Sequence, residues 1–159
     1  MTGTASNSAA GPARQELYLT RILGTPRNLV FKAWTDREHV ARRWGPRGFA
    51  NPVCKLDFRP GGLMRIDMRG PDGMVYPMKG VFHEIVEPER LVYEHEGGDG
   101  IDAVKFRSTV TFAEMDGKTN VTLRMVFATA AERDFVIKKH GAIEGGKQTL
   151  ARLAEQLEG

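Results

Sequence analysis

The chain carries one cysteine, Cys54, among 159 residues. An internal disulfide framework is therefore excluded, and a lone thiol fits a reducing, cytoplasmic setting. Long apolar runs are missing too: no stretch approaches the ~20 residues with which a helix spans a bilayer. Met1–Gln15 is rich in Ser, Ala, Gly and Thr and lacks the apolar segment of a signal peptide. That composition predicts a disordered tail ahead of a single domain over residues 16–159. Charge of one sign is also scarce. A net +3 does not by itself indicate nucleic acid, and the basic residues lack the interleaved aromatics that stack on bases.

Several catalytic and cofactor signatures are absent as well. Without GxSxG there is no nucleophile elbow, and nothing near Cys54 points to an activated thiol, so it reads as a small strand residue. No GxGxxG or Walker lysine motif is present, and no cofactor is implied. HExxH and CxxC are both missing. His83-Glu84 and Glu94-His95-Glu96 place metal-ligand types on neighbouring strands, but alternation sends His83 and His95 to opposite faces. No metal site is expected.

What the chain does have is periodic patterning. Thr129-Ala130-Ala131-Glu132 forms a capping-box sequence. Behind it Val136, Ile143, Leu150, Leu153 and Leu157 recur at helical spacing, predicting one long amphipathic helix over Thr129–Glu158. Gly141 and Gly145-Gly146 predict a kink or break in it. A helix of that length with one apolar face needs a sheet to lie on. The strands precede it. Glu16–Leu23 is the first, apolar on both faces. Thr25-Pro26 reads as an N-cap with proline at the first helical position, opening a helix that carries Leu29, Val30, Ala33 and Trp34. Thr35-Asp36 starts a second short helix, ended by Gly45-Pro46.

A meander follows. Met64, Ile66 and Met68 alternate with Arg65, Asp67 and Arg69. Pro71-Asp72-Gly73 suits a three-residue hairpin loop, setting Met68 opposite Tyr76 and Ile66 opposite Met78. A turn at Glu87–Arg90 sets Val86 opposite Leu91. Val104–Met115 is a further strand. Asp116-Gly117 predicts a two-residue hairpin pairing Phe112 with Val121, Val110 with Leu123, Ser108 with Met125 and Phe106 with Phe127. The apolar sets coincide, which predicts an antiparallel sheet with helices collected on one face, an α+β architecture.

The run Pro26–Asp36 continuing through Arg43-Trp44-Gly45-Pro46, with Pro60-Gly61-Gly62, Met68–Gly73, Gly80–Ile85 and Pro88–Val92, resembles the activator of heat-shock protein 90 ATPase homologue family. That family lies in the START-like superfamily, also called SRPBCC or polyketide-cyclase-like. The resemblance covers about Leu17 to Leu157. It implies a helix-grip fold: a curved antiparallel sheet of six or seven strands around a long C-terminal helix, two short helices after the first strand, and a ligand cavity between sheet and helix.

The inner-face residues Trp44, Phe49, Met64, Ile66, Met78, Tyr93, His95, Phe106 and Ser108 would line such a cavity, an apolar pocket with few polar groups; the same residues could simply fill the core. His95, Glu84 and Tyr93 are the acid–base candidates. Strict alternation puts Glu84 on the inner face opposite Tyr93, unless a β-bulge turns it outward. Binding of a hydrophobic or amphipathic small molecule is the leading expectation. A cyclase-, dehydratase- or hydrolase-like enzyme using the same cavity is the alternative. A further alternative is a chaperone or other acidic protein partner meeting the basic cluster Arg27, Lys32, Arg37, Arg42, Arg43 and Arg47. A homodimer is left open.

Overall fold

A computed structural model describes residues 15–44, 48–96, 105–140 and 142–158. The elements run β1 (Glu16–Leu23), α1 (Arg27–Trp34), α2 (Arg37–Arg43), β2 (Ala50–Leu56), β3 (Leu63–Arg69), β4 (Val75–Val86), β5 (Arg90–His95), β6 (Phe106–Met115), β7 (Lys118–Phe127), α3 (Ala130–His140) and α4 (Ala142–Glu158). The strands form one antiparallel sheet in the order β1-β7-β6-β5-β4-β3-β2. Of the tail expected over Met1–Gln15, only Gln15 lies within the described residues; its side-chain amide donates to the Ala128 carbonyl at 2.6 Å.

Turn chemistry fixes most of the register. Asp116 and Gly117 both take positive φ, 50° and 80°, as a two-residue hairpin requires. The β6–β7 pairs then fall as the sequence predicts, Phe112 with Val121 through Phe106 with Phe127. At the β3–β4 turn Gly73 has φ 85°, and Met68 meets Tyr76 while Ile66 meets Met78. On β1 the ambiguity resolves to Leu17, Leu19 and Leu23 buried, with Tyr18 and Ile22 exposed.

Two local expectations need correction. The α1 N-cap is Pro26, not Thr25, and no side chain caps the helix. Thr25 is instead held to the sheet, its carbonyl accepting from the buried Thr119 hydroxyl at 2.6 Å. Pro26 stays extended, and its carbonyl accepts from the amides of Leu29 and Val30. At the β4–β5 turn, Val86 pairs with Arg90 and Ile85 with Leu91, so Val86 does not face Leu91. The loop is one residue shorter than expected, since Arg90 is already back in the ladder.

The terminal helical segment is described as α3 and α4; the interruption expected at Gly141 lies outside the described residues. Thr129 caps α3, its Oγ1 accepting from the Glu132 amide at 3.1 Å. The Gly145-Gly146 pair does not interrupt α4. Gly146 has a packing reason: a Cβ there would lie 2.3 Å from Leu19 Cδ1, so the missing side chain lets the helix settle onto β1. Val136, Leu150 and Leu153 join the inner-face residues in one core cluster with Val30, Phe31 and Trp34 of α1. Phe31 and Trp34 meet Phe112 edge-on, at 5.3 and 5.8 Å between ring centroids. The other end of α4 is latched to α2: Arg152 donates to the carbonyls of Arg42 and Trp44, and Gln156 to that of His39 at 3.1 Å.

Asp36 caps α2, accepting from the amides of Glu38 at 2.9 Å and His39 at 3.3 Å. The bond from His39, opposed by a little desolvation and helped by the Glu38 amide and nearby positive charge, lowers its carboxyl below the ordinary 3.8. A lowered folded-state value means that the stabilisation is present above the unfolded value and is lost as the pH falls through the folded one. Asp36→Ala is expected to remove about 1 kcal/mol of stability near neutral pH. In urea titrations the difference from the parent should shrink below pH 3.8; a pH-independent difference would contradict the cap as its source.

Candidate functional site

The inner face is organised in rows set by the pairing of successive strands. One row is Met64, Gly80, His95, Phe106 and Phe127. The next is Phe82, Tyr93, Ser108, Met125 and Leu17. In the first, the His95 and Phe106 rings are stacked at 4.6 Å and 16°, and Phe106 continues to Phe127 at 4.9 Å and 37°. This makes an aromatic ladder across three strands. Gly80 allows a close approach beside it: a Cβ there would lie 2.7 Å from the Glu94 carbonyl oxygen and 3.2 Å from Met64 Sδ. In the second row Phe82 and Tyr93 meet edge-on at 6.0 Å, and Phe58 packs on Phe82 at 5.1 Å.

The second row exists because of a β-bulge. The β4–β5 register shifts between Phe82 and Glu84, which sets Phe82 opposite Tyr93 and turns Glu84 away. The inner-face placement of Glu84 is thereby corrected. Its carboxylate is half exposed and pairs with Arg90 at 2.6 Å. His83 is on the outer face as well, 3.8 Å from Glu94, so the two histidines lie on opposite sides of the sheet. Among the described residues no three His, Cys, Asp or Glu side chains are grouped to hold a metal ion.

Of the residues singled out in the sequence, Met64, Ile66, Met78, Tyr93, His95, Phe106 and Ser108 share the inner face. Trp44 follows α2 and packs half-buried on the same core, while its carbonyl accepts from Asn51 Nδ2 at 3.1 Å. Phe49 lies apart, against Tyr76 at 6.0 Å beside the β3–β4 turn. Phe82, Met125 and Phe127 belong to the same surface and were passed over. Met125 and Phe127 follow from the Asp116-Gly117 register, and Phe82 from alternation with Met78. Cys54 is the inner-face partner of Ile66.

The burial of this surface is uneven. Ile66, Phe82, Leu91, Ser108 and Val110 are fully buried, whereas Met68, His95, Phe106 and Met125 remain half-buried, as do Ile137 on α3 and Ile143 on α4. Ser108 Oγ has no hydrogen-bond partner among the described residues, a condition that costs about 1–3 kcal/mol for a buried polar group. A second feature, an open groove of about 430 Å³, lies between the α1–α2 turn and the β2–β3 hairpin, lined by Thr35, Arg37, Lys55, Leu56, Asp57, Phe58 and Leu63. Its one carboxylate, Asp57, is already engaged by Arg59 at 2.8 Å. Nearby Lys32, Arg37 and Arg42 are exposed, and Arg27 is 3.9 Å from Glu114. Arg47 and the Arg43 side chain fall outside the described residues.

With this geometry in place, comparison with known proteins is decisive. The family described as activator of Hsp90 ATPase homolog 1-like protein matches residues 24–158. The chain belongs to this family. Among solved structures, a protein from Nitrosomonas europaea is 26% identical, covers 92% of this chain and 96% of its own, and superposes with a TM-score of 0.83. One from Chromobacterium violaceum is 24% identical over 91% and 98%, with a TM-score of 0.81. A Silicibacter pomeroyi protein bearing the same family name is 20% identical over 89% and 96%, at 0.70. Among curated proteins nothing matches. The family's START-like helix-grip architecture is the one described above.

The contrast in burial predicts a contrast in stability. Phe82→Ala is expected to cost about 3–5 kcal/mol, as for a fully enclosed ring. Phe106→Ala should cost about 1–2 kcal/mol, for a ring that loses partial burial and two aromatic contacts. Urea unfolding of the two variants checks the order; equal losses would mean that both rings are core.

Proposed function

We propose that this protein binds a hydrophobic or amphipathic small molecule between the concave face of the sheet and the α3–α4 helices. One observation supports this reading: the half-burial of His95, Phe106, Met68 and Met125 on a face whose neighbouring side chains are sealed. Protein interiors are packed to crystal density. Inward side chains that keep solvent contact beside fully buried ones therefore border space. Ile137 and Ile143 are half-buried in the same way on the helices, so both walls carry apolar surface. Aromatic rings and methionines with one or two polar groups are the usual lining of a small-molecule site, and methionine lets such a wall adapt to its ligand. The mixed-charge groove beside α2 is open and offers no buried polar group, and it suits an enclosed apolar ligand less well.

The first test is native mass spectrometry of protein purified without denaturation, followed by release of any bound molecule. A co-purifying apolar compound is the expected result. Met125→Trp should then abolish that adduct while lowering stability by less than about 1 kcal/mol, because the added ring enters space. A parent that shows only its own mass and takes up no 8-anilinonaphthalene-1-sulfonate would sink the reading. So would a Met125→Trp penalty of about 1–3 kcal/mol, the mark of overpacking a filled core.

A further inference from the structure

We infer that Ser108 is the polar anchor of the cavity and that it selects flat aromatic ligands bearing a hydroxyl or carbonyl oxygen. This rests on the binding reading above and adds the ligand's chemistry. Three observations converge. Ser108 is 0% exposed, and its Oγ has no hydrogen-bond partner among the described residues. A hydroxyl can donate and accept, and a buried one normally does. The position is flanked by Phe106, Val110 and Met125, with the Tyr93 ring across the strand, so alanine would pack there without the desolvation penalty of the hydroxyl. The second observation is the cover. Its cross-strand neighbours are Tyr93 and Met125, and Met125 is the half-buried one. A thioether with three rotatable bonds is the side chain best able to move aside as a ligand arrives. The third is the ladder of His95, Phe106 and Phe127, whose rings lie 4.6 and 4.9 Å apart centroid to centroid in the adjoining row. It offers a broad face against which a planar ring can stack. A ligand ring lying on this ladder would bring a ring-bound oxygen towards Ser108.

The pair of probes that isolates the hydroxyl is 1-naphthol and naphthalene, which share one ring system and differ in a single oxygen. Binding is read by NMR titration of the parent and of Ser108→Ala, following the Met125 methyl signal. The parent is expected to bind 1-naphthol about tenfold tighter than naphthalene, the size of one net hydrogen bond. In Ser108→Ala the two affinities should become equal, with naphthalene binding retained. Ser108→Ala should also melt no lower than the parent, since it deletes an unpartnered group. If both probes bind and their ratio is unchanged by Ser108→Ala, or is near one in the parent, the anchor is wrong and the cavity stands. If neither probe binds either protein, the cavity reading falls and the anchor with it.

Discussion

The inner surface of this protein depends on one extra residue. A β-strand that continued the alternation of Gly80 and Phe82 without interruption would carry Glu84 to the concave side opposite Leu91. The bulge at residue 83 resets the phase. A carboxylate that would have been desolvated sits in solvent beside Arg90, and a phenylalanine fills the position across from Tyr93. Burying an unpaired carboxylate is far more costly than bending a strand, so the bulge is where the chain resolves the conflict between its own alternation and an apolar interior. The pairing of Phe82 with Tyr93 and of Gly80 with His95 follows from that reset.

Around this constraint the fold divides its labour. One half of the concave face is closed by α1 and by α4, with Phe31, Trp34, Leu150 and Leu153 packed onto Phe112, Leu91 and Val110. The other half carries aromatic and thioether side chains that no neighbour seals. The closed half anchors the helices; the half-buried side chains of the other half are those the binding proposal uses. The latch from Arg152 and Gln156 to the carbonyls of α2 belongs to the closed half, where it orients Trp44 at its edge.

Much of this was legible in the sequence wherever a turn has only one solution. Asp116-Gly117 and Pro71-Asp72-Gly73 need positive φ at defined positions, and the strands on either side inherit their pairing from that requirement. The capping sequence at Thr129 was legible for the same local reason. Elements set by distant contacts were not. Thr25 has the chemistry of a cap, but its carbonyl is engaged by Thr119, 94 residues away, and the helix starts later. The bulge was foreseeable only as a type of event, because nothing in the residues around His83 marks its site. For the inner face, alternation in the sequence shows which residues point inward. Which of them are sealed depends on how three helices settle on the sheet, and no periodicity contains that. The lack of a partner for Ser108 among the described residues is a property of the assembled core alone.

The contact between Gly146 and Leu19 binds two distant positions into a single heritable unit. A hydrogen on the helix faces an isobutyl group on the edge strand, with no room for another carbon between them. A descendant of this chain that gains a side chain at 146 would stay folded most readily if it had already lost one at 19. Drift in the family should therefore leave the helix and the first strand changing together, small against large, although 127 positions separate them.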